Sequence, residues 1–478
     1  MAQSMTLVVL LSAFPVLMQT GWLSTHVYSA LWCVVIWIIG YGAIIFSDAR
    51  GLWSPAAIYF VIFAFFHFSL AVMLVLGGST DDIIWFFDPE VPQAFALVGL
   101  GGIGLALGSI TPALSRAVLA CRIESATVDS DEHRSAPTTP HELFFSQMMS
   151  QISAVIAVGC IFGWILMTLM ATGGSLFGLS YGEFLNATEA YPRPWLTFGI
   201  AIGVTLAAID LEQRASRITL GMFIVWALIA LPIGIRGDVM FTAAGALAAQ
   251  GWKLYRVPVR YFIGAAVVML CLASLLREVR AEGIAKVDWR WEVVSPANAL
   301  KELGQSLRPT YETIRWLQDG DQLLGGESFW SPIERGFLRL FPLQQRVDVD
   351  EDRQLIELVN KRVGPIGFSP IAEAYYNFGT NGVPLVMGMI GLLVGCLGMT
   401  GNSLLGRALM LSTLIPLLIF VRNSFTPVPA QMVIGWSLVL IIWGLSAVIA
   451  KRLYAREFHN VGAAAQVPDA NEVDEMTR

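Results

Sequence analysis

The sequence predicts an all-α polytopic membrane protein with about twelve transmembrane helices and one large helical extracytoplasmic loop. Three observations lead to this fold class. Hydrophobic residues make up 55% of the chain and charged residues only 14%, whereas an average soluble domain has about 25% charged residues. Apolar runs of about 17 to 25 residues, long enough to cross the hydrocarbon layer of a bilayer, recur along the chain. A polar segment, residues 277–376, interrupts them late in the sequence.

The apolar runs give the predicted spans in chain order. They cover residues 5–21, 29–46, 54–77, 91–110, 150–171, 195–210, 218–235, 238–252, 261–276, 381–400, 406–421 and 428–449. The eighth run, 238–252, is short and rich in Gly and Ala. Two alternatives remain open for this run. It crosses the membrane by tight packing through its small residues, or it is re-entrant and sheltered by neighbouring helices.

The distribution of Lys and Arg between the short loops predicts the orientation. Thirteen basic residues lie in alternate loops and the C-terminal flank on one side, whereas the short loops on the other side hold three, Arg193, Arg236 and Arg422. The more basic side is expected to be cytoplasmic. Both termini are therefore predicted to be cytoplasmic, and the long polar segment is predicted to lie outside the cytoplasm.

This pattern divides the chain into four parts. Residues 1–276 carry spans one to nine, with a polar cytoplasmic linker at 112–147 that has the composition of a flexible segment. Residues 277–376 form the large extracytoplasmic loop, and residues 377–450 carry spans ten to twelve. Residues 451–478 form a cytoplasmic tail.

Inside the large loop, apolar residues recur at spacings of three and four between Pro296 and Leu317, which predicts an amphipathic helix. Pro309 lies inside this pattern and is expected to break or kink the helix. An aromatic and basic stretch follows at residues 329–341. We expect these helices to lie along the membrane face and to cover a cavity.

Four arginines at the predicted extracytoplasmic span ends are candidates for binding a diphosphate. They are Arg236 after span seven, Arg422 after span eleven, and Arg277 and Arg280 just outside span nine. A guanidinium can fork onto two phosphate oxygens, and Gly237 permits close backbone approach beside Arg236. The alternatives are an interfacial anchor, an ion pair between Arg236 and Asp238, and a solvated helix turn containing Arg277 and Arg280.

Glu373 stands where the polar loop re-enters the membrane. A helix is predicted to begin just before it, because Ser369 is a good N-cap and Pro370 suits the first helical position. In this first turn Glu373 either complements the helix dipole or acts as the general base that deprotonates a sugar hydroxyl. Three further residues are candidates for stacking on and hydrogen bonding to a sugar, namely Tyr375, Tyr376 and Asn377.

The sequence gives little support for a metal site. Asp319-Gly-Asp321 and Asp348-Val-Asp350 match the short acidic pattern with which soluble glycosyltransferases hold a metal, but a solvated turn is the expected alternative for both. The five His residues show no ligand spacing. We therefore expect no metal, no cofactor and no nucleic-acid partner.

Several of these motifs resemble, in order, the bacterial oligosaccharide repeat-unit polymerases of O-antigen and exopolysaccharide pathways, the Wzy family. Arg236-Gly237 lies at the end of one predicted span and is followed by a short span. A long outer loop comes later in the chain. That loop ends in Ser369-Pro-Ile-Ala-Glu-Ala-Tyr-Tyr-Asn-Phe-Gly379, which leads into a Gly-rich span. Arg422-Asn-Ser near the last span is a fourth match. The resemblance covers residues 218–425, and the first six spans match only in topology.

The resemblance implies a metal-independent membrane glycosyltransferase, similar to the C-type superfamily, in the bacterial inner membrane. Such an enzyme passes a growing glycan from undecaprenyl diphosphate to the sugar end of another lipid-linked repeat unit. The arginines would bind the diphosphate and Glu373 would be the base. The implied partners are the lipid-linked oligosaccharide and the bilayer, and whether a chain-length regulator binds stays open.

Two other functions are carried as alternatives. A glycan ligase of the same broad class shares the large outer loop. A polysaccharide or solute transporter is disfavoured, because the spans show no charged coupling pathway and no inverted repeat.

Overall fold

The computed structural model describes residues 2–124, 140–174, 181–254, 295–340, 355–364, 366–399 and 403–464, and the single positions 258, 260, 264 and 274. Within these residues the secondary structure is helical and contains no strand. Arg277 and Arg280, Asp348 and Asp350, and most of the ninth predicted span lie outside the described residues. The expectations for these positions stay predictions.

The described residues up to Leu254 form eleven α-helices. These are α1 (Ala2–Gln19), α2 (His26–Ser47), α3 (Pro55–His67), α4 (Ser69–Val75), α5 (Val91–Glu124), α6 (Pro140–Ala171), α7 (Tyr181–Ala187), α8 (Arg193–Ala207), α9 (Arg214–Ile233), α10 (Arg236–Ala249) and α11 (Gly251–Leu254). The described C-terminal part adds α12 (Pro296–Gly304), α13 (Arg308–Gln318), α14 (Glu327–Leu340), α15 (Leu355–Val363), α16 (Pro370–Met399), α17 (Leu404–Phe420) and α18 (Val428–Ala464).

The apolar helices confirm the multi-pass, all-α fold class. Among the described residues, α2, α5, α6, α9, α16 and α18 are long and apolar enough to cross a bilayer, and α3 with α4 forms a bent seventh candidate. Shorter apolar helices are α1, α8 and α17. Every predicted span except the ninth overlaps one of these helices or α10. The number twelve stays a prediction, as do the four parts of the chain.

The predicted third span, 54–77, is broken rather than continuous. Its two helices, α3 and α4, meet at an angle of 63°. The hydroxyl of Ser69 donates to the carbonyl of Phe65 at 2.6 Å across the break. Helix α12 packs against this bend. The close approach is possible because Gly304 has no side chain, since a Cβ there would lie only 2.5 Å from the backbone nitrogen of Leu70. A contact that is distant in sequence thus accompanies the bend.

Helices α5 and α16 pack almost backbone to backbone in the centre of the bundle. A Cβ at Gly108 would lie 2.7 Å from the backbone nitrogen of Leu392, and a Cβ at Gly391 would lie 3.0 Å from that of Ser109. Small residues at these positions allow the two helices to approach closely, as in other membrane helix pairs. This packing fixes α16, which carries Glu373.

Gly379 divides α16 into two segments. Its φ of 66° and ψ of −162° are not helical and lie in a region that glycine adopts far more easily than other residues. The first segment, 370–378, carries the predicted site residues, and the second coincides with the predicted tenth span. The backbone therefore changes direction between the candidate site and the span.

The amphipathic pattern between Pro296 and Leu317 is confirmed, and it is divided as expected. A 3-10 turn at Gln305–Leu307 separates α12 from α13, and Pro309 lies in the first turn of α13. The apolar face is at most 2% exposed at Leu303, Leu307, Tyr311 and Ile314. Helix α12 packs on α3 and α4, and α13 packs on α5 and α16. These helices cover the end of the bundle that the charge pattern predicts to be extracytoplasmic, here called the predicted outer end.

Candidate functional site

Glu373 is fully buried, at 0% exposure, in the first segment of α16. The helix begins as the sequence predicts, since the backbone N–H of Ala372 donates to the hydroxyl of Ser369 at 3.0 Å. A carboxylate in the interior is costly unless hydrogen bonds compensate for the lost water. The partners of Glu373 therefore define the centre of the site.

Two hydrogen bonds hold the Glu373 carboxylate. The hydroxyl of Ser328 in α14 donates to Oε1 at 2.8 Å. The backbone N–H of Phe425, in the turn between α17 and α18, donates to Oε2 at 2.8 Å. Because these donors come from different parts of the chain, Glu373 links three segments of the fold at one point.

Asn377, one helical turn after Glu373, extends the same network. Its Nδ2 donates to the hydroxyl of Ser328 at 2.8 Å and to the carbonyl of Glu373 at 2.7 Å. The backbone N–H of Gly326 donates to its Oδ1 at 3.0 Å. The side chain is 1% exposed, so in this state it holds the start of α14 in place. Its role in binding a sugar stays a prediction.

Tyr375 and Tyr376 are close to Glu373 in the helix, but their hydroxyls reach different neighbours. The Tyr375 hydroxyl accepts a hydrogen bond from Nε2 of Gln93 in α5 at 3.3 Å. The Tyr376 hydroxyl donates to Oδ2 of Asp321 at 2.7 Å. Both tyrosines are buried, and their contact with a sugar also stays a prediction.

Arg422 lies in the turn that supplies the Phe425 N–H to Glu373. The guanidinium carbon of Arg422 lies 5.5 Å from the ring centroid of Phe66 in α3. The carbonyl of the preceding residue is 2.9 Å from Nε2 of His67, which is buried. The turn is thus anchored to α3 on one side and to Glu373 on the other. The structure therefore places Arg422, predicted from a separate motif, in the same turn as the Phe425 N–H that binds Glu373.

Arg236 begins α10 and forms a buried ion pair with Glu302 of α12. The distance from Nη1 to Oε1 is 2.5 Å, and the side chains are only 6% and 10% exposed. Asp238, two residues further on, interacts electrostatically with Arg193 and Arg422. Arg236 and Arg422, both predicted to bind a diphosphate, thus lie around one region of the predicted outer end, which we call the arginine region.

Asp321 belongs to a clasp that holds α15. Arg362 of α15 donates to both carboxylate oxygens, at 2.6 and 3.4 Å, and Tyr376 adds a third hydrogen bond. Burial alone would raise the pKa of Asp321, but the bonds from Arg362 and Tyr376 hold it below its ordinary value. We call Asp321, Arg362 and Tyr376 the Asp321 clasp. Among the described residues, no group of three or more His, Cys, Asp or Glu could hold a metal ion.

An apolar groove with a volume of about 450 Å³ lies beside the Glu373 network. Phe329 and Trp330 of α14 form one wall, and Met389 and Leu393 of α16 form another. Phe425 forms part of the lining between them. The aromatic stretch that begins at residue 329 thus forms one wall of a cavity, and its position along the membrane face stays a prediction.

The sequence did not indicate three important partners in the site. Ser328 and Phe425 bind the Glu373 carboxylate, and Glu302 pairs with Arg236. Ser328 precedes Glu373 by 45 residues and Phe425 follows it by 52. Such distant contacts leave no periodicity or spacing that a single sequence could reveal.

The fold and the site together define a polytopic α-helical membrane protein with a buried carboxylate, an arginine region and an apolar groove near one end of its bundle. The chain belongs to the O-antigen polysaccharide polymerase Wzy family, whose family model matches residues 4–453. The resemblance drawn from the sequence motifs is therefore confirmed.

A relative shows a similarity of more limited extent. Protein CapE of Staphylococcus aureus is 27% identical over 218 residues, which cover 44% of this chain and 46% of CapE. The match thus spans less than half the length of that relative. No solved structure matches the chain.

Proposed function

We propose that the chain is a glycosyltransferase that polymerises undecaprenyl-diphosphate-linked oligosaccharide repeat units at the extracytoplasmic face of a bacterial inner membrane. Membership of the family supports the reaction class. The observation that carries the proposal is the shared turn, in which Arg422 lies three residues from the Phe425 N–H that binds Glu373. The turn thus connects the residue proposed as the base with a residue proposed to bind the diphosphate.

In the proposed reaction, a hydroxyl of the acceptor sugar attacks the anomeric carbon of the donor glycan. The new glycosidic C–O bond forms as the bond between that carbon and the diphosphate breaks. Glu373 takes the proton of the hydroxyl, and undecaprenyl diphosphate leaves with the bonding electron pair. Such proton transfer by a positioned side chain contributes about 10² to 10⁴ in rate.

The acceptor hydroxyl would reach Glu373 by replacing the Ser328 hydroxyl as its hydrogen-bond donor. The Phe425 N–H would continue to orient the carboxylate. Arg236 and Arg422 would stabilise the negative charge that develops on the leaving diphosphate. Glu302 would orient the guanidinium of Arg236 through their ion pair. Arg277 and Arg280 are proposed as further ligands, and Tyr375, Tyr376 and Asn377 as contacts to the sugar.

The proposal is tested with purified protein in liposomes, a lipid-linked repeat unit, and product ladders measured with and without a chelator. Glu373→Gln should lower polymerisation by about 10² to 10⁴, whereas Ser328→Ala, which keeps the carboxylate, should retain a clear ladder. Both variants should accumulate as folded protein. Full-length polymer from Glu373→Gln would show that Glu373 is not the base.

The same assay tests the arginines. Arg422→Ala should suppress the ladder, because it removes the stabilisation of the leaving diphosphate. Arg236→Ala alone would leave the Glu302 carboxylate buried beside a missing guanidinium, so it should be compared with the double variant that also carries Glu302→Ala. In cells, loss of a polymerase leaves single lipid-linked repeat units, whereas loss of a ligase leaves long lipid-linked polymer.

A further inference from the structure

We infer that the apolar groove holds the lipid chain of the lipid-linked substrate, with the chain entering sideways between α14 and α16. This inference rests on the proposed function, because that function requires a site for an isoprenoid next to the reacting sugar. It goes further by assigning the site to particular residues.

The first argument is the position of the groove relative to the base. The groove is lined by Gly326 and Phe425, whose backbone N–H groups bind Asn377 and Glu373. Phe329, on another wall, follows directly after Ser328, which donates to Glu373. One end of the groove is therefore built from the residues that hold the carboxylate, and an occupant of the groove ends beside it.

The second argument is the chemistry of the lining. Phe329 and Phe378 stack nearly parallel, with an interplanar angle of 1° and ring centroids 6.1 Å apart. Phe425 meets the ring of Phe329 edge-on at 5.3 Å. The side chains that line the cavity are apolar. Such a lining is favourable for a hydrocarbon chain and unfavourable for a sugar or a diphosphate, whose polar groups would lose their hydrogen bonds to water.

The third argument is the opening of the groove. Met389 and Leu393 lie in the predicted tenth span and are 55% and 39% exposed, and Trp330 on the opposite wall is 59% exposed. The groove is thus open along the side of the bundle at the level of a span. A lipid can enter there without passing through water. The volume of the groove, about 450 Å³, lies within the ordinary range of ligand pockets, about 300 to 1,000 Å³.

The turn between α17 and α18 connects this groove to the arginine region. Phe425 faces the groove, while Arg422 of the same turn lies over Phe66. A lipid diphosphate can therefore place its chain on one side of the turn and its head on the other.

The experiment uses the full chain in nanodiscs and a benzophenone-bearing polyprenyl diphosphate that carries no sugar. The probe should label peptides that contain residues 326–333 and 386–393. Met389→Trp and Leu393→Trp fill the groove and should each lower labelling by about tenfold. The matched control is Leu385→Trp on the same helix, which is 63% exposed and lies outside the groove lining; it should label like the parent protein.

Labelling that is unchanged in Met389→Trp and Leu393→Trp would overturn the inference. Competition by phosphatidylglycerol as strong as that by undecaprenyl diphosphate would also overturn it, because the groove would then be a general lipid site. The probe lacks sugar, so labelling is independent of polymerisation. Groove labelling without a product ladder from a lipid-linked repeat unit would contradict the proposed function and leave the lipid site intact.

Discussion

At the residue scale, the main finding concerns how the chain stabilises a carboxylate in its interior. Glu373 has no exposed surface, and it receives one hydroxyl donor and one backbone N–H. Hydrogen bonds to a charged group are each worth about 1.5–3 kcal/mol, so this pair offsets part of the cost of burial.

The Asp321 clasp makes α15 sensitive to acid. The folded state lowers the pKa of Asp321. The clasp therefore contributes its full stability at pH values above the unfolded-state pKa of about 3.9. This stability is lost as the pH falls through the lower pKa of the folded state. Its contribution should be about 1 kcal/mol or less, because the ion pair is partly exposed. Hydrogen exchange of the α15 amides between pH 2.5 and 7, corrected for intrinsic rates, measures this loss.

The control for this prediction is a neighbouring acid. Asp321→Asn should lower the protection of α15 at neutral pH and remove most of its pH dependence. Asp319→Asn, at an exposed position two residues earlier, should behave like the parent. Equal protection of α15 in the parent and in Asp321→Asn would rule out a stabilising clasp.

At the scale of the elements, the pairing of α5 with α16 determines where the site can form. The sequence predicted two separate apolar spans, but nothing in it indicated that they pack together. The structure places Gly104, Gly108 and Gly391 in close contact with the partner backbone. Loss of this contact would displace the first segment of α16 and with it Glu373.

A matched pair of glycine substitutions tests the importance of this contact. Gly108→Ala should destabilise the protein by about 1–3 kcal/mol, because the added Cβ has no space in the packed interface. Gly444→Ala in α18, where a Cβ meets nothing within 4 Å, should be neutral or slightly stabilising through better helix propensity. Thermal unfolding in detergent compares the two, and equal melting temperatures would exclude a tight interface between α5 and α16.

At the scale of the whole molecule, the charge pattern predicts which end of the bundle faces outwards. The arginine region, Glu373 and the covering helices α12 and α13 lie at one end, and the proposed reaction requires that end to be extracytoplasmic. Lys253 and Glu212 form an exposed ion pair in loops that are predicted to be cytoplasmic. The two ends can therefore be distinguished by labelling.

The orientation prediction is tested by single cysteines in a variant that lacks the five natural ones. Gln318→Cys, after α13, should react with a membrane-impermeant maleimide in intact spheroplasts. Glu212→Cys, at a side chain that is 84% exposed, should react only after lysis. The opposite labelling pattern would invert the topology and contradict an extracytoplasmic site.

Much of the fold could be predicted from the sequence because its signals are local. A long apolar run can cross the bilayer without any contribution from other parts of the chain. The start of α16 follows from two adjacent residues, Ser369 and Pro370. The motif around Glu373 was also local, and it indicated the family that the comparison with known proteins confirms. The sequence thus indicated Glu373 as a candidate base and Arg422 as a candidate diphosphate-binding residue, each from its own motif.

The chain by itself determined the class of protein, the main helices and a set of candidate residues. Only the tertiary structure decided that the turn carrying Arg422 also binds Glu373 through the Phe425 N–H, that Arg236 pairs with Glu302, and that an apolar groove ends beside the carboxylate. The physical reason is that hydrogen bonds, ion pairs and cavities depend on which surfaces meet in space. The break between α3 and α4 belongs to the same category, because it lies where α12 packs.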